Sequence, residues 1–130
     1  MFRRSRTLHW KHWHTKHRWV EVLVLGLLAA TLLTWLVAQP SFTDPDAFYH
    51  LRLSQLTADQ WGAVRDFPWL PYTTLSEHYA DHHFLYHLVA GWFMAMFGAV
   101  VGMKVVTVLL GVAAVLVVYA VLRQQRVRYA

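Results

Sequence analysis

A chain of 130 residues in which 57% are hydrophobic and only 15% are charged is too apolar for an ordinary soluble domain of its size. The absence of cysteine excludes disulfides, thiolate nucleophiles and zinc–thiolate sites. The net charge of +5 does not indicate a nucleic-acid partner, because the basic residues form two terminal clusters that each adjoin an apolar run. We therefore expect a membrane protein in contact with lipid and with no nucleic-acid partner.

The first predicted element is a membrane-spanning helix over residues 19–39, WVEVLVLGLLAATLLTWLVAQ. About 20 helical residues cross a hydrocarbon core of about 30 Å. A cleaved signal peptide is the competing interpretation, but the apolar run is long and no clean small-residue cleavage site follows it. The basic, aromatic tail before it, residues 1–18, predicts contact with anionic lipid and a cytoplasmic N-terminus by the positive-inside rule.

The loop over residues 40–83 is expected to face outward, and it opens with a helix signal in TDPDAFYHLRLSQL. Asp44 suits the N-cap, Pro45 the first helical position, and Asp46 the positive end of the helix dipole. Asp46 and His50 are four residues apart and therefore share a helix face. The spacing leaves two interpretations open: a solvated pair, or a carboxylate and an imidazole that bind a divalent metal or share a proton.

The middle of the loop, WGAVRDFPWLPYTTL, predicts an extended connection, because its two prolines cannot continue a helix. Trp61, Trp69 and Tyr72 suit the aromatic belt at a membrane interface, or alternatively a platform for sugar or lipid.

A second cluster of acids and histidines lies in LSEHYADHHFLYH, at the entrance to the next apolar run. Its members are Glu77, His78, Asp81, His82, His83 and His87. In a helical conformation, His78 would share a face with His82, and His83 with His87. His87 falls about one turn inside the expected hydrocarbon boundary, where a polar side chain usually faces protein or water. A functional role and a plain hydrogen bond to another helix both remain open for His87.

The last apolar stretch, residues 84–122, is too long for one ordinary span and is expected to divide at GAVVGMK, where two glycines and Lys104 indicate a tight turn. We predict two further spans over residues 84–101 and 103–123, followed by a basic tail, 124–130. The predicted fold is therefore an all-α, multi-pass protein of the cell membrane with three transmembrane helices and a partly helical outward loop. Three spans leave the C-terminal arginines outside, against the positive-inside rule, unless further spans follow.

The order of DPDAFYHLRL, FPWLPYTT and ADHHFLYH, between a first span and a helical hairpin, resembles the N-terminal portion of integral-membrane glycosyltransferases of the GT-C type. It is most similar to the catalytic subunit of oligosaccharyltransferase and its archaeal and bacterial relatives. In that family, an acidic D-x-D motif of the first outward loop helps to hold a divalent metal beside the acceptor. The resemblance implies that Asp44 or Asp46 is the catalytic and metal-binding acid, with Mg²⁺ or Mn²⁺ as the cofactor. The residues it implies in supporting roles are His50, Arg52, Asp81, His82 and His83.

The activity that the resemblance implies is transfer of a glycan from a polyprenyl-phosphate or diphosphate donor to a protein or glycan acceptor on the outer face of the membrane. The later spans, the second acidic motif and the soluble C-terminal domain of that family are not among these residues. We therefore expect the chain to be a fragment, a truncated copy or one subunit of a split enzyme, and in the last case its partner is the missing remainder of the enzyme.

Two alternatives remain. The first is a small non-enzymatic membrane protein that serves as an interaction or assembly subunit, with Gly91, Gly98, Gly102 and Gly111 permitting close helix contact. The second is a histidine-rich metal-handling protein that uses His78, Asp81, His82 and His83.

Overall fold

The computed structural model describes residues 6–42, 44–67, 69, 71–76 and 78–125, and for residues 6–17 the backbone alone. The regular structure of this part of the chain is entirely helical, as the sequence predicts. It comprises α1 (Arg6–Val37), α2 (Asp46–Gln60), a short 3-10 turn (Thr74–Ser76), α3 (Phe84–Phe97) and α4 (Ala99–Gln124). Glu77 and most of the predicted basic tail over 124–130 lie outside the described residues.

Within the described residues, two helices are long and apolar enough to cross a membrane: Arg18–Val37 of α1, with a mean hydropathy of 2.3, and α4, with 2.9. Only 6% of either apolar window is buried within the protein, so their leucines and valines are largely exposed. The helix in the place of the predicted middle span, α3, has 14 residues. At 1.5 Å per residue it is about 21 Å long, well short of a hydrocarbon core of about 30 Å. Three transmembrane helices are therefore not confirmed.

The last apolar stretch breaks at Gly98, the first glycine of GAVVGMK. Gly98 is the single residue between α3 and α4, and its φ of 83° and ψ of 160° belong to a region that side chains other than glycine's rarely permit. Gly102 lies inside α4, where an added Cβ would sit 2.5 Å from Met94 Cα. The second glycine thus allows close packing of α4 on α3 instead of making the turn, which is why α3 ends before the predicted residue 101 and α4 begins at Ala99, before the predicted 103.

The chain divides into two compact units. One contains the first part of α1 and the last part of α4, and within it Tyr119 Oη donates a hydrogen bond of 2.5 Å to Glu21 Oε2. Arg123 Nη2 lies 3.5 Å from the same carboxylate oxygen. Later in α1 and earlier in α4, a Cβ on Gly111 would meet Leu33 Cδ1 at 2.7 Å. Because later residues of α1 meet earlier residues of α4, the two helices run antiparallel in this unit.

The other unit, Leu36–Val108, holds α2, α3 and the segments around them. One of its two apolar clusters joins α3 to α4 through Ala90, Met94, Met103 and Val106. The other covers α2 with the segment that follows it, through Leu53, Val64 and Phe67. Residues 63–67 carry no regular structure, as the proline-containing segment predicts. The side chains of Trp61, Trp69 and Tyr72 are exposed.

Candidate functional site

The start of α2 forms as its sequence predicts. Asp44 Oδ1 accepts a hydrogen bond of 3.0 Å from the backbone N–H of Asp46, and Pro45 has helical dihedral angles. The Asp44 carboxylate thereby satisfies one of the N–H groups that a helix leaves unpaired at its start, which confirms its predicted capping role. The Asp46 side chain is exposed and makes no hydrogen bond within the described residues.

The packing of α2 on α3 depends on Gly91. A Cβ at this position would lie 2.7 Å from the carbonyl oxygen of Ser54 and 2.8 Å from Ala58 Cβ, so the two backbones touch only because no side chain intervenes. Ser54 is fully buried at this contact, and its hydroxyl donates to the carbonyl of His50 at 2.7 Å. This close approach brings His50 of α2 beside His87 of α3.

Three side chains form a continuous hydrogen-bonded chain across this contact, which we call the Asp81–His87–His50 network. Asp81 Oδ2 lies 2.7 Å from His87 Nδ1, and His87 Nε2 lies 2.8 Å from His50 Nδ1. The His87 side chain is fully buried and the Asp81 carboxylate is 2% exposed, whereas His50 is half-buried. Asp81 Oδ1 also accepts from the backbone N–H of His83 at 2.9 Å, so both oxygens of this carboxylate are held.

The surroundings of His50 lower its pKa below the ordinary value of 6.5. Burial is the largest cause, and the neighbouring His87 and His83 add to it, while Asp46 and Asp81 act in the opposite direction. Removing water from an imidazolium and placing it near other imidazoles both disfavour the charged form. His50 is therefore neutral near pH 7, and one of its ring nitrogens is available to accept a proton.

A cavity of about 320 Å³, the first cavity, opens beside Asp46 and His50. Its polar lining also includes Asp44 and Lys104. The Lys104 ammonium donates to the carbonyl of Gln39 and lies 5.8 Å from the centre of the Phe42 ring. Its apolar lining is formed by Leu36, Val37, Phe42, Tyr86 and Met103. The first cavity therefore combines two carboxylates, an imidazole and an ammonium with an apolar wall.

A second, wider hollow of about 510 Å³ shares Asp46 and His50 with the first cavity. Its remaining lining is Tyr49, Leu75, His78, Tyr79, Ala80, Asp81, His82 and His83. The hydroxyls of Tyr49 and Tyr79 are 2.8 Å apart, and burial together with this hydrogen bond raises the pKa of Tyr79. Tyr79 thus remains a neutral hydrogen-bonding group at any physiological pH.

The structure brings together six of the seven residues predicted for the site: Asp44, Asp46, His50, Asp81, His82 and His83 all line one of these two spaces. Arg52 does not join them, since its guanidinium donates to Gln55 Oε1 at 3.4 Å and lines a separate hollow with Asp59. His87 was not among the residues assigned to the site, although a histidine within an apolar run is a known signal of function. Its hydrogen bond to His50 of α2 is a contact with another helix, which is one of the two roles that the sequence allows for His87.

The second cluster of acids and histidines, in LSEHYADHHFLYH, is not helical in its described residues from His78 to His83, so His78 and His82 do not share a helix face. Asp81 is the physical reason: its carbonyl accepts from the N–H of Phe84, and its carboxylate accepts from the N–H of His83. This turn starts α3 at Phe84 and points the Asp81 carboxylate at His87 in the following turn of the helix.

Among the described residues, no group of three or more histidines and acids is arranged to hold a metal ion. One carboxylate oxygen of Asp44 serves as a helix cap, and the cation of Lys104 lines the same cavity as Asp46. Magnesium takes a near-octahedral shell of oxygen ligands, and in proteins it is usually held by one or two carboxylates, with water and substrate phosphate completing the shell. Asp44 and Asp46 supply at most part of such a shell, so Mg²⁺ or Mn²⁺ stays a prediction of the resemblance, and the four residues of the metal-handling alternative form no metal cluster among the described residues.

Comparisons of the chain with protein-family models, with curated proteins and with solved structures found no match. The similarity to GT-C glycosyltransferases rests on the three quoted segments alone.

Proposed function

We propose that the chain is the N-terminal membrane segment of a glycosyltransferase that moves a glycan from a polyprenyl-phosphate or diphosphate donor to an acceptor on the outer face of the membrane. The observation that carries the proposal is the first cavity, in which an apolar wall meets Asp46, His50 and Lys104. A polyprenyl-phosphate sugar has the same division into an apolar chain, a phosphate and a polar sugar. Cavities of this kind, mainly apolar with a few placed polar groups, are the usual form of a small-molecule site.

A location in the membrane is supported by the two long apolar helices, whose exposed side chains would otherwise face water. The exposed leucines and valines of α1 and α4 form surfaces that lipid would cover at no cost in free energy, since both are apolar. The apolar residues Leu36 and Val37, at the end of α1, also line the first cavity. A donor lipid that reaches the cavity from the bilayer would therefore remain in contact with apolar surface.

Two polar groups of the first cavity suit the two reactants: Lys104 suits the leaving phosphate of the donor, and Asp46 suits the attacking acceptor. Lys104 uses one of its three N–H donors on the carbonyl of Gln39, which leaves two for the phosphate of the donor. A fixed positive charge at that place stabilises the negative charge that grows on the leaving phosphate. Asp46, which makes no other side-chain hydrogen bond in the described part of the chain, accepts a hydrogen bond from the acceptor and orients it for attack.

The proposal of an interaction subunit receives less support, because the four glycines expected to contact a partner are used inside the chain. Gly91 faces Ser54, Gly102 faces Met94, and Gly111 faces Leu33. Gly98 makes the turn between α3 and α4.

The test is glycan transfer in membranes of the cells that make the protein, with the wild-type chain or a variant supplied to cells that lack it. A radiolabelled polyprenyl-linked glycan is the donor, and labelled acceptor is the product. Asp46→Asn removes the charge that orients the acceptor, and we expect it to lower transfer by about 100-fold, the usual effect of misplacing a reactant.

The matched control is Asp59→Asn, the same change at an exposed position near the other end of α2. We expect this variant to transfer at the wild-type rate. Equal transfer by wild type and Asp46→Asn, or no dependence of transfer on the chain at all, would refute the proposed function.

A further inference from the structure

The hydrogen bonds of the Asp81–His87–His50 network fix which ring nitrogens carry protons. An ionised carboxylate only accepts hydrogen bonds, so His87 Nδ1, at 2.7 Å from Asp81 Oδ2, carries a proton. If His87 is neutral, its Nε2 is an acceptor, and His50 Nδ1 is then the donor at 2.8 Å. The remaining nitrogen, His50 Nε2, carries a lone pair and makes no hydrogen bond within the described residues. His50 itself lines the first cavity.

A second protonation state uses the same geometry and differs by one proton. When a proton is added at His50 Nε2, the proton on His50 Nδ1 can pass across the 2.8 Å hydrogen bond to His87 Nε2. The positive charge then rests on His87, next to the buried Asp81 carboxylate, and His50 remains neutral. In this state the imidazolium lies 2.7 Å from a carboxylate, whereas the pKa of His50 is lowered by its own surroundings.

We infer that His50 Nε2 takes the proton that the acceptor releases during transfer, with His87 and Asp81 as positioning residues that hold His50 in the receptive tautomer and receive the charge. This inference rests on the proposed function and assigns a role within the same site. His50 is the catalytic residue, because it alone of the three lines the first cavity.

The acceptor oxygen or nitrogen forms a bond to the anomeric carbon of the sugar, and the bond from that carbon to the phosphate oxygen breaks. The phosphate leaves with the bonding electron pair, opposite the ammonium of Lys104. The proton that the acceptor loses goes to His50 Nε2, and one proton moves from His50 to His87. Release of a proton to solvent restores the first state.

The charged and titratable groups around His50 come from all the neighbouring segments. They are Asp44, Asp46 and Tyr49 at the start of α2, Asp81 and His83 before α3, Tyr86 and His87 in α3, and Lys104 in α4. Of these, His87 is hydrogen-bonded to His50, and Asp81 is hydrogen-bonded to His87. The network therefore acts as one unit in its uptake of the first proton, and the pH transition of that step belongs to the two coupled histidines and not to either one alone.

The first test is independent of activity and uses NMR of the full chain in detergent micelles with ¹⁵N-labelled histidine. The resonances of His50 are identified by their loss in His50→Gln. At alkaline pH we expect the proton on Nδ1 of His50, and below the transition we expect it on Nε2. Asp81→Asn removes the charge that stabilises the protonated network, so the transition should move to lower pH; Asp66→Asn, an exposed loop aspartate, should leave it unchanged. A proton on Nε2 of His50 at alkaline pH would overturn the inference.

The second test is the pH dependence of transfer in the membrane assay. Transfer should rise with pH as the network loses its proton, and Asp81→Asn should shift this rise to lower pH. We expect His50→Gln to lower transfer by about 100-fold or more, as is usual for loss of a general base. Loss of transfer in Asp46→Asn but not in His50→Gln would overturn the inference and leave the proposed function standing. An absence of transfer by the wild-type chain would overturn both.

Discussion

At the scale of single residues, the surroundings of His50 oppose its protonation. Its ring contacts His83 and Tyr86 edge to face, at centroid distances of 5.2 and 5.8 Å, and burial lowers its pKa. The unfolded chain takes up a proton on this histidine near pH 6.5, whereas the folded chain resists it until a lower pH. Well above pH 6.5 both states are neutral at His50, and this residue adds no pH dependence there. As the pH falls below that value, the unfolded state binds more protons, so the stability of the fold declines.

We therefore predict that the stability advantage of wild type over His50→Gln narrows as the pH falls from 7 to 5. The reason is that only the wild type has a titrating group at position 50, and burial disfavours the charged form of that group as the pH falls. The measurement is thermal unfolding of both proteins in the same detergent at several pH values. A gap in melting temperature that widens toward pH 5 would contradict the lowered pKa.

The residue-level predictions from sequence succeed where the cause is local. The capping role of Asp44 depends on the next two residues, and the chain adopts it. The partnership of His50 with His87 joins residues 37 positions apart and depends on how α2 packs on α3, which no local pattern specifies. The spacing of Asp46 and His50 indicated a shared face, but the histidine's hydrogen-bonding partners came from tertiary structure.

At the scale of helices, the α2–α3 contact determines whether the Asp81–His87–His50 network exists. Gly91→Ala places a methyl group 2.7 Å from a backbone oxygen that cannot move alone. Overpacking of this kind costs roughly 1–3 kcal/mol. The better helix propensity of alanine returns only about 1 kcal/mol. We predict that Gly91→Ala destabilises the chain and weakens the hydrogen bond between His50 and His87, observed as a lower melting temperature and altered histidine NMR shifts.

The matched control is Gly26→Ala in α1, where the nearest atom would be Leu116 Cδ1 at an ordinary 3.9 Å. There the gain in helix propensity is unopposed, and the variant should be as stable as wild type or more so. Equal melting temperatures for Gly91→Ala and Gly26→Ala would show that the close contact of α2 with α3 does not exist.

The helix boundaries show the same division between local and tertiary causes. A turn within GAVVGMK was predictable from its glycines, but either one suited a turn equally well by sequence. Gly98 makes the turn because Gly102 is needed where α4 crosses Met94. The short length of α3 follows from that choice, and the hydrophobicity of the sequence gave no indication of it.

At the scale of the whole molecule, the antiparallel contact of α1 with α4 bears on membrane topology. If these two helices cross the bilayer and the short α3 does not, the basic N-terminal tail and Arg123 lie on the same side. The positive-inside rule then applies to both ends without conflict and assigns them to the cytoplasm. The three-span arrangement predicted from sequence would place the two ends on opposite sides.

We predict that both ends react from the cytoplasmic side only. Because the chain has no cysteine, single cysteines can be introduced as Ser5→Cys, Gln125→Cys and Ser41→Cys and labelled with a membrane-impermeant maleimide. The first two should react only after the membrane is opened, whereas Cys substituted for Ser41, which follows α1, should react from outside. Labelling of the two ends from opposite sides would contradict the two-span topology.

The most direct measurement of the central claim is photolabelling of the purified chain by a polyprenyl phosphate with a photoreactive group beside the phosphate, mapped by mass spectrometry. If the first cavity binds the donor, the label is concentrated on the peptides that contain Phe42 and Met103, is displaced by unlabelled polyprenyl phosphate, and is reduced in Lys104→Met. Label spread along the exposed faces of α1 and α4, unaffected by competitor and by Lys104→Met, would contradict a donor site in this protein.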